Sequence, residues 1–257
     1  MRSVFVICVV LAVMALTQSI VFAQGTPSQT KWQQLPDMKN GMQFSSETKV
    51  PSIVADDWLC VDGNPVIGIT WWGGYWIPTT PGNYSYYSDS LPTTNPPAAQ
   101  AQTFNITIWS DIPADPANGV YFSMPGQPLK TYIGVVPTVS YYGATSQQGR
   151  LVYQYTLDIS KDPFLQEKGT IYWVSIVSTN LDARNVQWGW HESINHWNDA
   201  AVQDFKGSGW YTLENNLYKN DMAFELRTIP EPSGLLALAS GAIGIAGILI
   251  RRRHLHL

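Results

Sequence analysis

The chain has 257 residues, with 15 Lys and Arg against 19 Asp and Glu for a formal charge of −4, 12% aromatic and 13% charged residues, and two cysteines. So aromatic-rich and charge-poor a composition excludes intrinsic disorder, and the acidic balance excludes a strongly basic nucleic-acid binder. Two cysteines are too few for a disulfide scaffold or a cysteine-rich zinc site, and the length suits one large β-sandwich or two small domains.

Residues 1–23 read as a delivery signal. Arg2 gives a positive start, residues 4–16 are apolar and uncharged, and Val21-Phe22-Ala23 places small residues at −3 and −1 of a cleavage site. This is the layout of a secretory signal peptide handled by the Sec machinery, with the mature chain expected from Gln24. The apolar run is shorter than the ~20 residues of a membrane span. Cleavage removes Cys8 and leaves Cys60 without an intrachain partner, so stability is expected from packing alone.

Residues 24–229 hold all 11 Trp and all 13 Tyr, with 11 Lys and Arg against 18 Asp and Glu, a formal charge of −7. Strands are predicted at 53–60, 65–72, 103–109, 131–141, 151–159, 169–179, 186–190 and 221–227. Phe104, Ile106 and Ile108 share one face of their strand, as do Leu151, Tyr153, Tyr155, Leu157 and Ile159 of theirs. Residues 169–179 are apolar on both faces, which predicts a strand in the middle of a sheet. Asp62-Gly63-Asn64, Asn118-Gly119 and Gly207-Ser208-Gly209 supply turns. One short helix is predicted at 198–205. Residues 77–102 carry five prolines and are read as a long surface loop rather than sheet. The expected fold is all-β, a single β-sandwich of jelly-roll type without internal repeats.

Within this segment Trp71-Trp72-Gly73-Gly74-Tyr75-Trp76 is the most unusual string. Large aromatics belong in a core, yet paired glycines mark a flat spot that a sugar ring could approach. Trp71, Trp72, Tyr75 and Trp76 are therefore candidates both for the core and for stacking on carbohydrate. Further on, His191-Glu192 and His196 imitate a metalloprotease motif, but the histidines are five apart instead of four. That spacing separates them by about 140° on a helix and by a face on a strand, so a structural role is expected. Asp56, Asp57 and Asp62, and separately Asn180 and Asp182, offer oxygen ligands for a structural calcium ion, against an ordinary Asx turn at Asp62. No Gly-x-Ser-x-Gly elbow is present, and nothing singles out an acid pair such as Asp57 with Glu192 for glycoside hydrolysis. Cys60 reads as a buried small hydrophobe.

The last 28 residues, 230–257, run Pro230-Glu231-Pro232, an apolar stretch at 235–250, and Arg251-Arg252-Arg253. Sixteen helical residues reach roughly 24 Å, so Ser233 and Gly234 must also enter the hydrocarbon, and the arginines stay cytoplasmic. Gly241, Gly244 and Gly247 give this helix a small-residue face for another membrane protein. The three features together resemble the PEP-CTERM sorting signal of Gram-negative bacteria. That resemblance implies an exosortase substrate, held in the inner membrane as a precursor and then displayed at the cell surface or in the matrix alongside exopolysaccharide.

The middle of the chain resembles, more loosely, an uncharacterised domain of exported PEP-CTERM proteins from planctomycete-like bacteria. The likeness rests on Ala55-Asp56-Asp57-Trp58, Trp71-Trp72-Gly73, Trp188-Gly189-Trp190, Trp197-Asn198-Asp199 and residues 221–226, and it brings no activity with it. The expectation is an exported protein without catalytic activity that acts by adhesion or polysaccharide association. A carbohydrate-binding module is the alternative and a glycan-active hydrolase the third reading. No cofactor is expected, apart from the calcium question.

Overall fold

The computed structural model describes residues 28–80, 83–86, 102–179, 187–214 and 219–229. The leader, the Pro230-Glu231-Pro232 tail with its apolar stretch and arginines, and the candidates Asn180 and Asp182 lie outside the described residues. Among the described residues no helix is long and apolar enough to cross a membrane.

Among the described residues fourteen strands form in chain order: β1 Gln29–Gln34, β2 Gln43–Ser45, β3 Ser52–Leu59, β4 Gly68–Thr80, β5 Asn83–Tyr86, β6 Phe104–Ile112, β7 Met124–Val135, β8 Thr138–Ala144, β9 Leu151–Asp158, β10 Ile171–Ser178, β11 Gln187–His191, β12 Val202–Phe205, β13 Trp210–Thr212 and β14 Phe224–Thr228. They pair antiparallel into two sheets. One has the order β13-β12-β3-β10-β6-β7. The other runs β1-β14-β4-β11-β2, with β9 and β5 also on β4 and β8 on β9. The fold is all-β, two sheets packed as a β-sandwich, and Thr30–Thr228 make up one compact unit.

Side-chain alternation places the core. Phe104, Ile106 and Ile108 of β6, Val174 and Ile176 of β10, and Val54 and Trp58 of β3 point inward from the six-stranded sheet. They meet Ile69, Trp71 and Tyr75 of β4, Tyr153 and Tyr155 of β9, and Trp188 and Trp190 of β11. Phe104 sits at the junction, edge-on to Trp71, Tyr155 and Trp188 with centroids 5.2, 5.2 and 5.1 Å away. Fully burying each such ring contributes about 1.5–3 kcal/mol, which lets the sandwich stand without a disulfide.

Three expectations are corrected. The stretch 77–102 is not loop from its start: β4 runs on to Thr80 and β5 returns against it, with a register irregularity between Pro78 and Thr80. Pro78 is admitted because a proline at an irregular site need not donate to the ladder. The single strand expected at 131–141 is two strands in different sheets, since the chain turns beyond Gly134 (φ +63°) into Val136-Pro137. Finally, no helix forms at 198–205. Asn198 adopts φ +52°, and β12 pairs with β3 from Val202 opposite Ala55 to Phe205 opposite Ser52. Eight residues are a marginal helix by themselves, and the ladder with β3 outweighs their propensity.

Candidate functional site

Trp71, Trp72 and Tyr75 of the aromatic string on β4 belong to the interior, which corrects their reading as a stacking platform. Trp71, Trp72 and Tyr75 are 0, 2 and 1% exposed. Trp71 stacks on Tyr155 at 5.4 Å and 9°. Trp188 Nε1–H donates to Tyr155 Oη (3.1 Å), which donates to Tyr75 Oη (2.9 Å), which donates to Gln102 Oε1; Gln102 Nε2 then donates to Ser178 Oγ at 3.0 Å. This buried chain satisfies the polar tips that rings of this type carry into a core. The two glycines serve the same packing. A Cβ on Gly73 would fall 2.5 Å from the Trp188 ring, and one on Gly74 would fall 2.0 Å from Gln43 Nε2. What approaches the glycines is an indole and an amide of this chain. The backbone of Trp76 pairs with Gln187 and Tyr86, while its side chain lies outside the described residues.

The second tryptophan cluster is also internal. Trp188 and Trp190 are fully buried, and Trp190 Nε1–H donates to the Ala223 carbonyl at 2.8 Å. His191 is buried with Nε2 3.1 Å from the Asp37 carbonyl oxygen, and burial pushes its pKa down to about 4. His196 stands apart, its Nδ1 3.8 Å from Asp221.

The acids named as calcium candidates do not assemble into one site. Asp56, fully buried on the inner face of β3, accepts the Met222 N–H (2.6 Å), the Asp57 N–H (2.8 Å) and Gln34 Nε2 (3.1 Å). Asp57, its neighbour on the opposite face, accepts Asn198 Nδ2 at 2.7 Å, and its Oδ1 is buried without a hydrogen bond. Burial above all, helped by Asp221, Asp199 and Asp111, raises the Asp57 pKa to about 8. Asp62 is elsewhere, closing an Asx turn onto the Asn64 N–H (2.9 Å) and pairing with the buried ammonium of Lys31. Among the described residues no three His, Cys, Asp or Glu side chains are arranged to hold a metal ion. Glu192 keeps other company from Asp57: its carboxylate accepts the Met42 N–H at 2.9 Å. Cys60 is buried and its sulfur accepts the Gly63 N–H at 3.3 Å.

An open recess of about 390 Å³ lies instead on the outer face of the six-stranded sheet. Its floor follows from alternation. Because Phe104, Ile106 and Ile108 point inward, Asn105, Thr107 and Trp109 of β6 point outward. They lie beside Val177, Ser175 and Trp173 of β10 in a continuous antiparallel register. Ile53 of β3 and Asp204 of β12, themselves partners across the ladder, extend the floor to the far side. Trp109 is the aromatic wall. Its Nε1–H donates to Ser175 Oγ at 3.0 Å and its ring meets Trp210 edge-on at 6.2 Å, so its orientation is fixed. The opposite rim carries Lys206 and Glu47. Glu47 is fully buried, accepts the Trp188 N–H at 3.2 Å, and is pushed by burial up to about 7.

Sequence reasoning passed over this site, although the signal was present in β6 itself. A strand that sends Phe, Ile and Ile inward must send its Trp outward.

No curated protein and no solved structure matches the chain. A family model does match, over residues 30–227, a span that takes in both sheets and the groove. The chain therefore belongs to the family described as Domain of unknown function (DUF7901).

Proposed function

We propose that the chain is an exported, non-catalytic protein of the cell surface or extracellular matrix that associates with extracellular polysaccharide. On this reading residues 1–23 are a signal peptide and residues 24–229 the working domain. Residues 230–257 are a PEP-CTERM tail: exosortase reads Pro230-Glu231-Pro232 while the stretch 235–250 and Arg251-Arg252-Arg253 hold the precursor in the inner membrane. A jelly-roll description of the sandwich is part of the same proposal. It is supported by consecutive strands that change sheets, from β2 to β3, β3 to β4, β10 to β11 and β11 to β12.

The observation that carries the reading is the groove. It is open, aromatic on one wall and polar on the other, which suits a flexible polymer lying on the surface. The candidate acids are turned to structural work: Asp56, Asp57 and Asp62 hold backbone and side-chain groups of this chain.

The test expresses the full chain in a Gram-negative host that contains exosortase. Wild type is expected to lose its tail and to fractionate with extracellular polysaccharide. Replacing Pro230, Glu231 and Pro232 with alanine is expected to leave an unprocessed membrane species. Equal processing of both proteins refutes the sorting role, and a processed protein that washes free of the polysaccharide refutes the association.

A further inference from the structure

We infer that the groove over β12, β3, β10 and β6 seats a chain of neutral sugar rings, with Trp109 as the stacking wall. This rests on the polysaccharide reading above and names its site and ligand class.

The geometry favours a sugar over other occupants. The four floor strands are internal to the sheet, each paired on both sides in the order β13-β12-β3-β10-β6-β7. Their backbone N–H and C=O groups are spent on ladder bonds or, where the β3–β10 ladder ends at Ala55 opposite Ser175, on Ser46 and Thr48, so an extended peptide has no free edge to join. A sugar ring asks for something different: a flat apolar surface beneath its C–H face and side-chain hydrogen-bonding groups around its hydroxyls.

Trp109 supplies the first requirement. It is half-buried, lines the recess, and is held by Ser175 and Trp210, so little ordering is needed on binding. Asn105 and Thr107 supply the second from the same strand. Asn105 uses its carbonyl oxygen on the Gly134 N–H (2.9 Å), which leaves its amide N–H groups to donate. Asp204 spends one carboxylate oxygen on the Gly209 N–H (3.2 Å) and keeps the other as an acceptor. Lys206 faces the recess as a donor. At about 390 Å³ the recess sits at the low end of the ~300–1,000 Å³ of small-molecule sites, the size for a short stretch of a longer polymer.

Charge selects within the sugars. At the groove Asp204 balances Lys206, and residues 24–229 carry a formal charge of −7, the field that an approaching polymer meets. A uronate or sulfate polymer meets repulsion there; a neutral one does not.

The test is affinity electrophoresis of the full chain in a polyoxyethylene detergent, which carries no sugar. Native gels contain hydroxyethylcellulose, galactomannan or the acidic polymer alginate. Wild type is expected to be retarded by at least one neutral polymer and not by alginate. Trp109→Ala is expected to raise the dissociation constant about tenfold or more. Because Trp109 also packs on Trp210, a second variant, Val177→Glu, obstructs the floor while leaving the tryptophan in place. It is expected to have the same effect, and near-UV circular dichroism verifies that both variants fold. Equal retardation of wild type and both variants overturns the groove while leaving polysaccharide association intact. Retardation by alginate alone overturns the neutral class. No retardation by any of the polymers overturns the site together with the association reading.

Discussion

Asp57 gives a sharp test of how the outer face of the six-stranded sheet is held. The residue is fully buried, accepts one hydrogen bond from Asn198 Nδ2 at 2.7 Å, and leaves its other oxygen without a partner. Burial, reinforced by Asp221, Asp199 and Asp111, lifts its pKa from 3.8 to about 8. The folded protein thus keeps a proton that the unfolded chain releases near pH 4. The resulting stabilisation is complete below that pH, and it declines as the pH rises to about 8 with a slope of about 1 kcal/mol per unit. Asp56, Asp221 and Glu47, all raised chiefly by burial, push in the same direction. Asp57→Asn keeps an oxygen for the Asn198 amide and removes the ionisation. Urea unfolding followed by tryptophan fluorescence should show the variant gaining on wild type by on the order of 3 kcal/mol between pH 5 and pH 8. Parallel curves for the two proteins would refute the assignment of a buried, protonated Asp57.

Two further predictions concern the core. Gly74→Ala places a methyl 2.0 Å from Gln43 Nε2 and 2.6 Å from the Leu151 carbonyl oxygen, so it should lower stability by roughly 1–3 kcal/mol in the same urea assay; an unchanged midpoint contradicts the close approach. His191, with its pKa lowered by burial to about 4, should stay neutral from pH 5 to 8. Since the unfolded histidine takes up its proton near pH 6.5, this group destabilises the fold as the pH falls from 6.5 to 4, and an NMR titration midpoint near 6.5 would show that the ring is solvated.

Period-two alternation made the sandwich legible. Residues 103–109, 151–159 and 169–179 appear as β6, β9 and β10, with Phe104, Ile106, Ile108, Leu151, Tyr153, Tyr155 and Ile159 buried and Leu157 half-buried against them, and β10 does occupy an internal position. The elements that escaped have no such signal. Strand β1 reads Gln-Thr-Lys-Trp-Gln-Gln, β2 and β13 have three residues each, and these strands exist because longer neighbours offer them a ladder. The aromatic string on β4 was ambiguous for another reason. Alternation says that Trp71 and Trp72 face opposite ways, but it does not say what covers the second face. Trp71 enters the sandwich core, whereas Trp72 lies in a separate cluster with Val152, Ala223 and Met38 and meets Tyr142 edge-on at 5.6 Å. Cover from β8 and from the segments around Met38 and Ala223 is a tertiary fact that no local window contains.

The same reasoning explains why the groove lies over β10. That strand is flanked by β3 and β6 and packed on both faces, with Val174 and Ile176 in the core and Trp173 beneath Trp109, Phe122 and Trp210. A strand with no free edge and one face wholly in the core belongs to the part of a fold that opens least often, even though Val177 on its other face lines the recess. Ser175, which orients the Trp109 indole, stands in the middle of it. The recess therefore inherits its shape from the most constrained strand, while its chemistry comes from the outward residues of β6 and the β12–β13 turn, where changes cost the core little. The continuous apolar character that marks residues 169–179 as a buried strand is thus also what gives the neighbouring tryptophan a fixed place from which to meet a ligand.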